Sequence, residues 1–123
     1  MNLLTIDDPI EFVALMNGLH DVRIDQFAWD TDAEILKLNI SAHFEDAPDY
    51  HGHKPTALIF GGLTEISVDV DMEEGIRISI VDILPVSSGF RLEIDLNIGG
   101  GSASMGRRSI FAKFKTLSVE SIH

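Results

Sequence analysis

The sequence contains no cysteine among its 123 residues, and this absence excludes several kinds of chemistry. Disulfide bridges, thiol nucleophiles, iron–sulfur clusters and thiolate zinc sites all require that residue. Basic residues are scarce too, since nine Lys and Arg stand against twenty Asp and Glu and leave a formal net charge of −11. Nucleic-acid binding relies on a basic surface, and anionic membranes repel an acidic one, so we expect neither as a partner.

Long apolar runs are also missing. The strongest apolar segments, residues 57–60 and 76–84, are too short or too interrupted to cross a bilayer. The N-terminal segment lacks the basic region and apolar stretch of a secretory signal, so we expect a cytoplasmic protein. The chain is long enough to bury about two-thirds of its surface. We therefore expect residues 1–123 to form a single acidic, β-rich domain.

A helical pattern opens the chain. Asp8 is a suitable N-cap, Pro9 suits the first helical position, and Glu11 stands where a capping box needs it. The apolar face is predicted to consist of Ile10, Val13, Ala14 and Met16. Asn17 and Gly18 supply a stop, so the pattern predicts one short N-terminal helix over about residues 9–16.

The rest of the sequence alternates between apolar and polar residues, as half-buried antiparallel strands do. The clearest strands are predicted at 34–44, 64–72 and 90–98, and weaker ones at 22–29, 56–60, 76–84 and 110–119. A bulge near Gln26 explains a change of face in the first weak strand. In the last strand Ala112 and Phe114 are predicted on one side, with Phe111 and Leu117 on the other.

The links between these strands, spread over about residues 21–119, are short, which favours hairpins and a meander over parallel crossovers. The predicted fold class is α+β and predominantly antiparallel β. It has about six or seven strands in a curled sheet or a sandwich, and the helix covers one edge or face.

Acidic residues occupy the predicted outer positions of two strands. We call this set the predicted acidic face: Glu65, Asp69, Asp71, Glu93 and Asp95. Only Arg77 and Arg91 are expected to interrupt it. Such a surface could attract a cationic protein by electrostatic steering, or it could simply keep the protein soluble.

A second candidate site is rich in histidine. His43, His51 and His53 lie near Asp49 in one loop, and imidazole and carboxylate groups bind zinc and other divalent ions. In an extended chain His51 and His53 would share a face. However, the spacing matches no known metal motif, so we expect no cofactor and keep a metal site as the alternative.

The chain also resembles small bacterial immunity proteins of polymorphic toxin systems, in particular the immunity-protein family numbered fifty and its relatives among small domains of unknown function. The resemblance begins at about Leu19 and covers most of the chain. Its residues are Leu19-His20-Asp21, then Ile24, Phe27 and Trp29, then the alternation of Leu36, Leu38 and Ile40, and finally the segment 58–66.

This resemblance implies a binding function and no catalytic residue. An immunity protein blocks a toxin in the cytoplasm of the producer, often a nuclease with a basic groove. Two alternatives stay open: a small enzyme or ligand-binding protein that uses the histidine loop, and a structural or regulatory domain that dimerises through an exposed sheet edge.

Overall fold

The computed structural model of the chain describes residues 2–19, 22–41, 50–69, 76–98 and 109–122. The described part contains one α-helix, one short 3-10 turn and nine strands. They are β1 (Asn2–Ile6), α1 (Pro9–Leu15), the 3-10 turn (Asn17–Leu19), β2 (Arg23–Asp30), β3 (Ile35–Ser41), β4 (Lys54–Gly61), β5 (Glu65–Asp69), β6 (Ile76–Val86), β7 (Gly89–Ile98), β8 (Ser109–Phe114) and β9 (Thr116–Ile122). The α+β, mostly antiparallel fold class is confirmed. The strand number exceeds the prediction because β1 was not expected and the last predicted strand is divided into two.

The helix begins as predicted but buries a different face. The backbone N–H of Glu11 donates to Asp8 Oδ1 at 3.1 Å, so Asp8 caps the helix. The predicted apolar face is wrong for Ile10 and Ala14, which are exposed. The buried side chains instead belong to Pro9, Phe12, Val13 and Met16, which are spaced as one helical stripe. This stripe follows from tertiary packing, because α1 and the 3-10 turn lie against β6.

The strands form two halves that are joined at two places. The five-stranded half has the order β1-β9-β4-β3-β2, and the four-stranded half has the order β6-β7-β8-β5. A single residue pair, Arg23 with Arg77, connects β2 to β6. The predicted bulge in β2 is confirmed, since its register with β3 shifts between Ile24 and Gln26.

A bent two-stranded ribbon joins the halves at the second place. One side of the ribbon is β4 followed by β5, and the other side is β8 followed by β9. Because β4 pairs with β9 and β5 pairs with β8, both sides cross from one half to the other together. At the bend, Lys115 N–H donates to the Gly61 carbonyl at 2.9 Å and Thr64 N–H donates to the Lys113 carbonyl at 2.9 Å. Gly62 has a φ of 64° at this bend, a conformation that glycine adopts without steric cost. With this ribbon and the β2–β6 pair, the sheet curls on itself around one core.

The bend also corrects the predicted facing of the last strand. Lys115 and Thr116 are both exposed, so the alternation changes phase between β8 and β9. Leu117 is therefore 1% exposed and lies in the core on the same side as Phe114, not opposite to it. Strands turn corners between packed layers through bends or bulges, and the phase shift at this bend keeps the apolar residues of both β8 and β9 inside.

The core draws on both halves and the helix. Its fully buried large side chains are Phe12, Leu19, Leu36, Leu38, Leu58, Phe60, Leu92, Ile94, Ile110, Phe114 and Leu117. β3 follows the predicted alternation, with every second side chain buried. The rings of Phe60 and Phe114 meet edge to face with centroids 5.0 Å apart, which joins the two halves at the bend.

Candidate functional site: the outer face of the four-stranded half

The strand register places most of the predicted acidic residues on one surface. We call the outer surface of β6, β7, β8 and β5 the four-stranded face. Glu65 pairs with Lys113, and Lys113 pairs with Arg91, so these three lie in one row across β5, β8 and β7. Asp95 pairs with Ser109, which in turn pairs with the backbone of Asp69.

The predicted carboxylates are not contiguous. β8 lies between β5 and β7, so Glu65 is separated from Glu93 and Asp95 by a whole strand. Glu65, Glu93 and Asp95 are accessible at this surface, whereas Asp71 lies outside the described residues. For Asp69 the register gives the backbone position alone. The sequence pattern identified the outward positions correctly but could not reveal the intervening strand.

Two cations lie between these carboxylates. Lys113 Nζ is 3.2 Å from Glu65 Oε2, and Arg91 Nη2 is 2.6 Å from Glu93 Oε1. All four side chains are more than a third exposed, so each ion pair contributes little to stability. The expectation of Arg77 and Arg91 as the only interruptions was incomplete, because it overlooked Lys113. The pairs locally neutralise two of the predicted binding carboxylates.

The centre of the four-stranded face is aromatic. The Arg91 guanidinium carbon lies 4.9 Å from the centroid of the half-buried Phe111 ring, in a cation–π arrangement. Leu84, which pairs with Arg91 across the strands, is 49% exposed. Sequence reasoning missed this cluster because Phe111 and Arg91 stand on different strands and meet only through the β7–β8 register.

Asp82 is a further acidic residue that sequence reasoning did not single out. It is exposed on β6 and lies opposite Glu93 on β7. Within the described parts of the chain, neither Asp82 nor Asp95 has a cation at ion-pair distance. Asp82 precedes Ile83 and Leu84 in an apolar segment, where an isolated carboxylate is a weak sequence signal. These two carboxylates flank the aromatic centre, and no cation among the described residues compensates their charge.

The histidine loop is organised as a turn where it is described. Tyr50 and His53 exchange two backbone hydrogen bonds of 2.9 and 3.0 Å, and both intervening residues, His51 and Gly52, have positive φ. This is a tight two-residue hairpin turn, so the segment is not extended and the condition under which His51 and His53 would share a face is not met. The His51 ring packs edge to face on Tyr50, with centroids 4.4 Å apart.

His53 contacts a buried serine in β9. Its Nδ1 lies 3.4 Å from Oγ of Ser121, which is fully buried. His43 and Asp49, the other members of the predicted metal set, lie outside the described residues. Among the residues that are described, no three His, Asp or Glu side chains are close enough together to hold a metal ion.

Comparisons of the chain with known protein families, curated proteins and solved structures gave no match. In the described ranges, no helix is long and apolar enough to cross a membrane.

Proposed function

We propose that this chain is a non-enzymatic binding domain that engages a cationic protein through the four-stranded face. The observation that carries the proposal is the combination of an aromatic and arginine centre with uncompensated carboxylates beside it. Phe111 and Arg91 form the centre, and Asp82 and Asp95 flank it. Protein-binding hot spots are enriched in aromatic and arginine side chains with a more polar surround.

Charge supports a basic partner. The formal net charge of −11 favours a cationic protein at long range, and clustered carboxylates raise the rate of encounter. In this proposal Glu65 and Glu93 do not attract the partner directly, because each is already paired with a cation of this chain. The two ion pairs fix side-chain positions around the centre, while Asp82 and Asp95 remain available to cations of the partner.

The partner class follows from the resemblance to immunity proteins. We propose that the chain neutralises a toxin whose active-site groove is basic, as a nuclease groove is. In that arrangement the carboxylates occupy the place of substrate phosphates, while the centre provides apolar contact. The domain then needs no catalytic group of its own, and its cytoplasmic location is part of the same proposal.

The test is binding to the purified product of the adjacent gene in the source genome, measured by titration calorimetry and stopped-flow association. The double variant D82K/D95K is compared with D25K/D32K, which changes net charge equally but alters exposed residues of β2 and its following turn. We expect D82K/D95K to raise the Kd at least about 100-fold, and the control to raise it less than about threefold.

The remaining outcomes are equally decisive. Equal effects of the two double variants would mean that net charge alone attracts the partner, and would overturn the assignment to this face. Absence of binding by the unaltered chain up to about 100 μM would overturn the inhibitor function, because immunity complexes must form at low cellular concentrations. Phe111→Ala is expected to weaken binding at least about tenfold with little change in the association rate.

A further inference from the structure

The strand β1 lies at an open end of the sheet. It is the terminal strand of the five-stranded half and pairs with β9 alone among the described elements. Its register with β9 is continuous over all five residues, without a bulge. Leu3 is 65% exposed and Thr5 is exposed as well, whereas Ile6 is buried in the core. The backbone groups on the far edge of a terminal strand lack partners within the sheet.

β1 lacks the usual protection of such an edge. Natural proteins prevent edge pairing with charged residues, proline or bulges. The segment 2–6 contains none of these. β5, at the other end of the sheet, begins with Glu65 and ends with Asp69, and Glu65 is held in an ion pair. The open edge of β2 carries Asp25 at its bulge and Asp30 at its end.

Charge also favours contact at β1. The chain repels its own copies through a net charge of −11, so self-association requires a neutral surface. The neighbouring strand β9 contains one charged residue, Glu120, and its carboxylate lies 3.1 Å from Lys37 Nζ. The outer surface of β9 beside β1 is therefore nearly neutral, whereas the four-stranded face carries Asp82 and Asp95, which have no cation at ion-pair distance among the described residues.

We infer that β1 pairs in antiparallel fashion with β1 of a second copy of this chain, and so forms a weak two-fold dimer with a continuous sheet. A two-fold antiparallel pair that uses all five residues has Leu4 on the axis. It sets Leu3 opposite the partner's Thr5, and no charge faces another charge. The two Asp7 residues then stand six residues apart along the ribbon, or about 20 Å, which is well beyond the screening length at physiological salt.

The expected strength is modest. One five-residue strand pair buries less surface than the roughly 1,000 Å² of a stable interface, so the dimer should form only at high concentration. This is also compatible with binding of a toxin through the four-stranded face, because β1 belongs to the other half of the sheet. The inference does not depend on the proposed function.

The test is sedimentation velocity of the full chain from about 10 μM to 1 mM. We expect a reversible monomer–dimer equilibrium. The double variant L3E/T5E sets like charges across the pair twice and should raise the dimer Kd at least about tenfold. The variant L3E/T5K sets opposite charges across it twice and should keep the dimer. Both substituted side chains are exposed. L3E sets a carboxylate opposite Glu120 of β9 in both variants, so any loss of monomer stability is common to them, and urea unfolding of each variant measures it.

V68E adds one negative charge at an exposed position of β5, at the opposite end of the strand order from β1, and should leave the dimer Kd within about twofold. A chain that stays monomeric up to 1 mM would overturn the inference. It would also fail if L3E/T5E dimerises as well as the unaltered chain, or if L3E/T5K behaves like L3E/T5E, because the copies would then not meet through antiparallel β1 strands.

Discussion

Replacing Gly89 by alanine would test the packing of the β6–β7 turn against the end of β8. Gly89 has a φ of 149°, a backbone conformation that residues other than glycine rarely adopt. A Cβ added there would also collide with the carbonyl oxygen of Phe114. This oxygen belongs to the backbone at the bend, next to a ring that is 1% exposed, so it cannot rotate away as a flexible side chain would.

The size of the effect follows from these two terms. Holding a non-glycine residue in a sparsely populated backbone conformation costs about 1–3 kcal/mol. Relief of the collision must move either the turn or the β7–β8 ladder, so we expect a loss of at least about 3 kcal/mol in total. That is a large part of the roughly 5–15 kcal/mol that stabilises a domain of this kind.

Gly18→Ala is the matched control. Gly18 also has a positive φ, of 66°, but a Cβ there would meet no atom within 4 Å. Its cost is therefore the left-handed backbone penalty alone, about 1–2 kcal/mol, reduced by about 0.5 kcal/mol because alanine restricts the unfolded chain. The measurement is urea unfolding at 25 °C for both variants. Free energies of unfolding that agree within about 0.5 kcal/mol would refute the argument that the Phe114 carbonyl decides the difference.

Three further changes test the fold at other positions. Leu38→Ala empties a fully buried position in β3 and should cost about 2–5 kcal/mol by urea unfolding, and a loss below about 1 kcal/mol would contradict its central place in the core. Asp8→Ala removes the cap of α1 and should cost about 1 kcal/mol, while Asp8→Asn should retain most of it. A double-mutant cycle on Lys37 and Glu120 should give a coupling of about 0.5–1 kcal/mol that decreases in 1 M salt, and a salt-independent value would rule out an ion pair.

Local patterns in the sequence were sufficient for much of the fold. Asp8 and Pro9 identify the start of the helix because capping depends on residues close in sequence. The alternation of Leu36, Leu38 and Ile40 identifies β3 and its buried side, because a strand with one buried face repeats every two residues. β1 was missed because it has only five residues and none of them is charged, so its sequence shows no clear alternation of apolar and polar residues.

The candidate site was only partly accessible to the same reasoning. Outward positions such as Glu93 and Asp95 follow from alternation within β7. The contact between Arg91 and Phe111 depends on which strands are neighbours, and sequence alternation contains no information on strand order. The ion pair of Lys113 with Glu65 was missed for the same reason.

By itself, then, the sequence determined the fold class, the positions of most strands, the helix cap and the acidic charge, all of which depend on composition or on neighbours along the chain. Only the tertiary structure decided the strand order, the bend at Lys115 that turns Leu117 into the core, and the residues that meet on the four-stranded face. The physical reason is that pairing between strands distant in the sequence depends on burying all apolar faces in one core at once. The sequence of a single segment does not show which other strands will share the core with it.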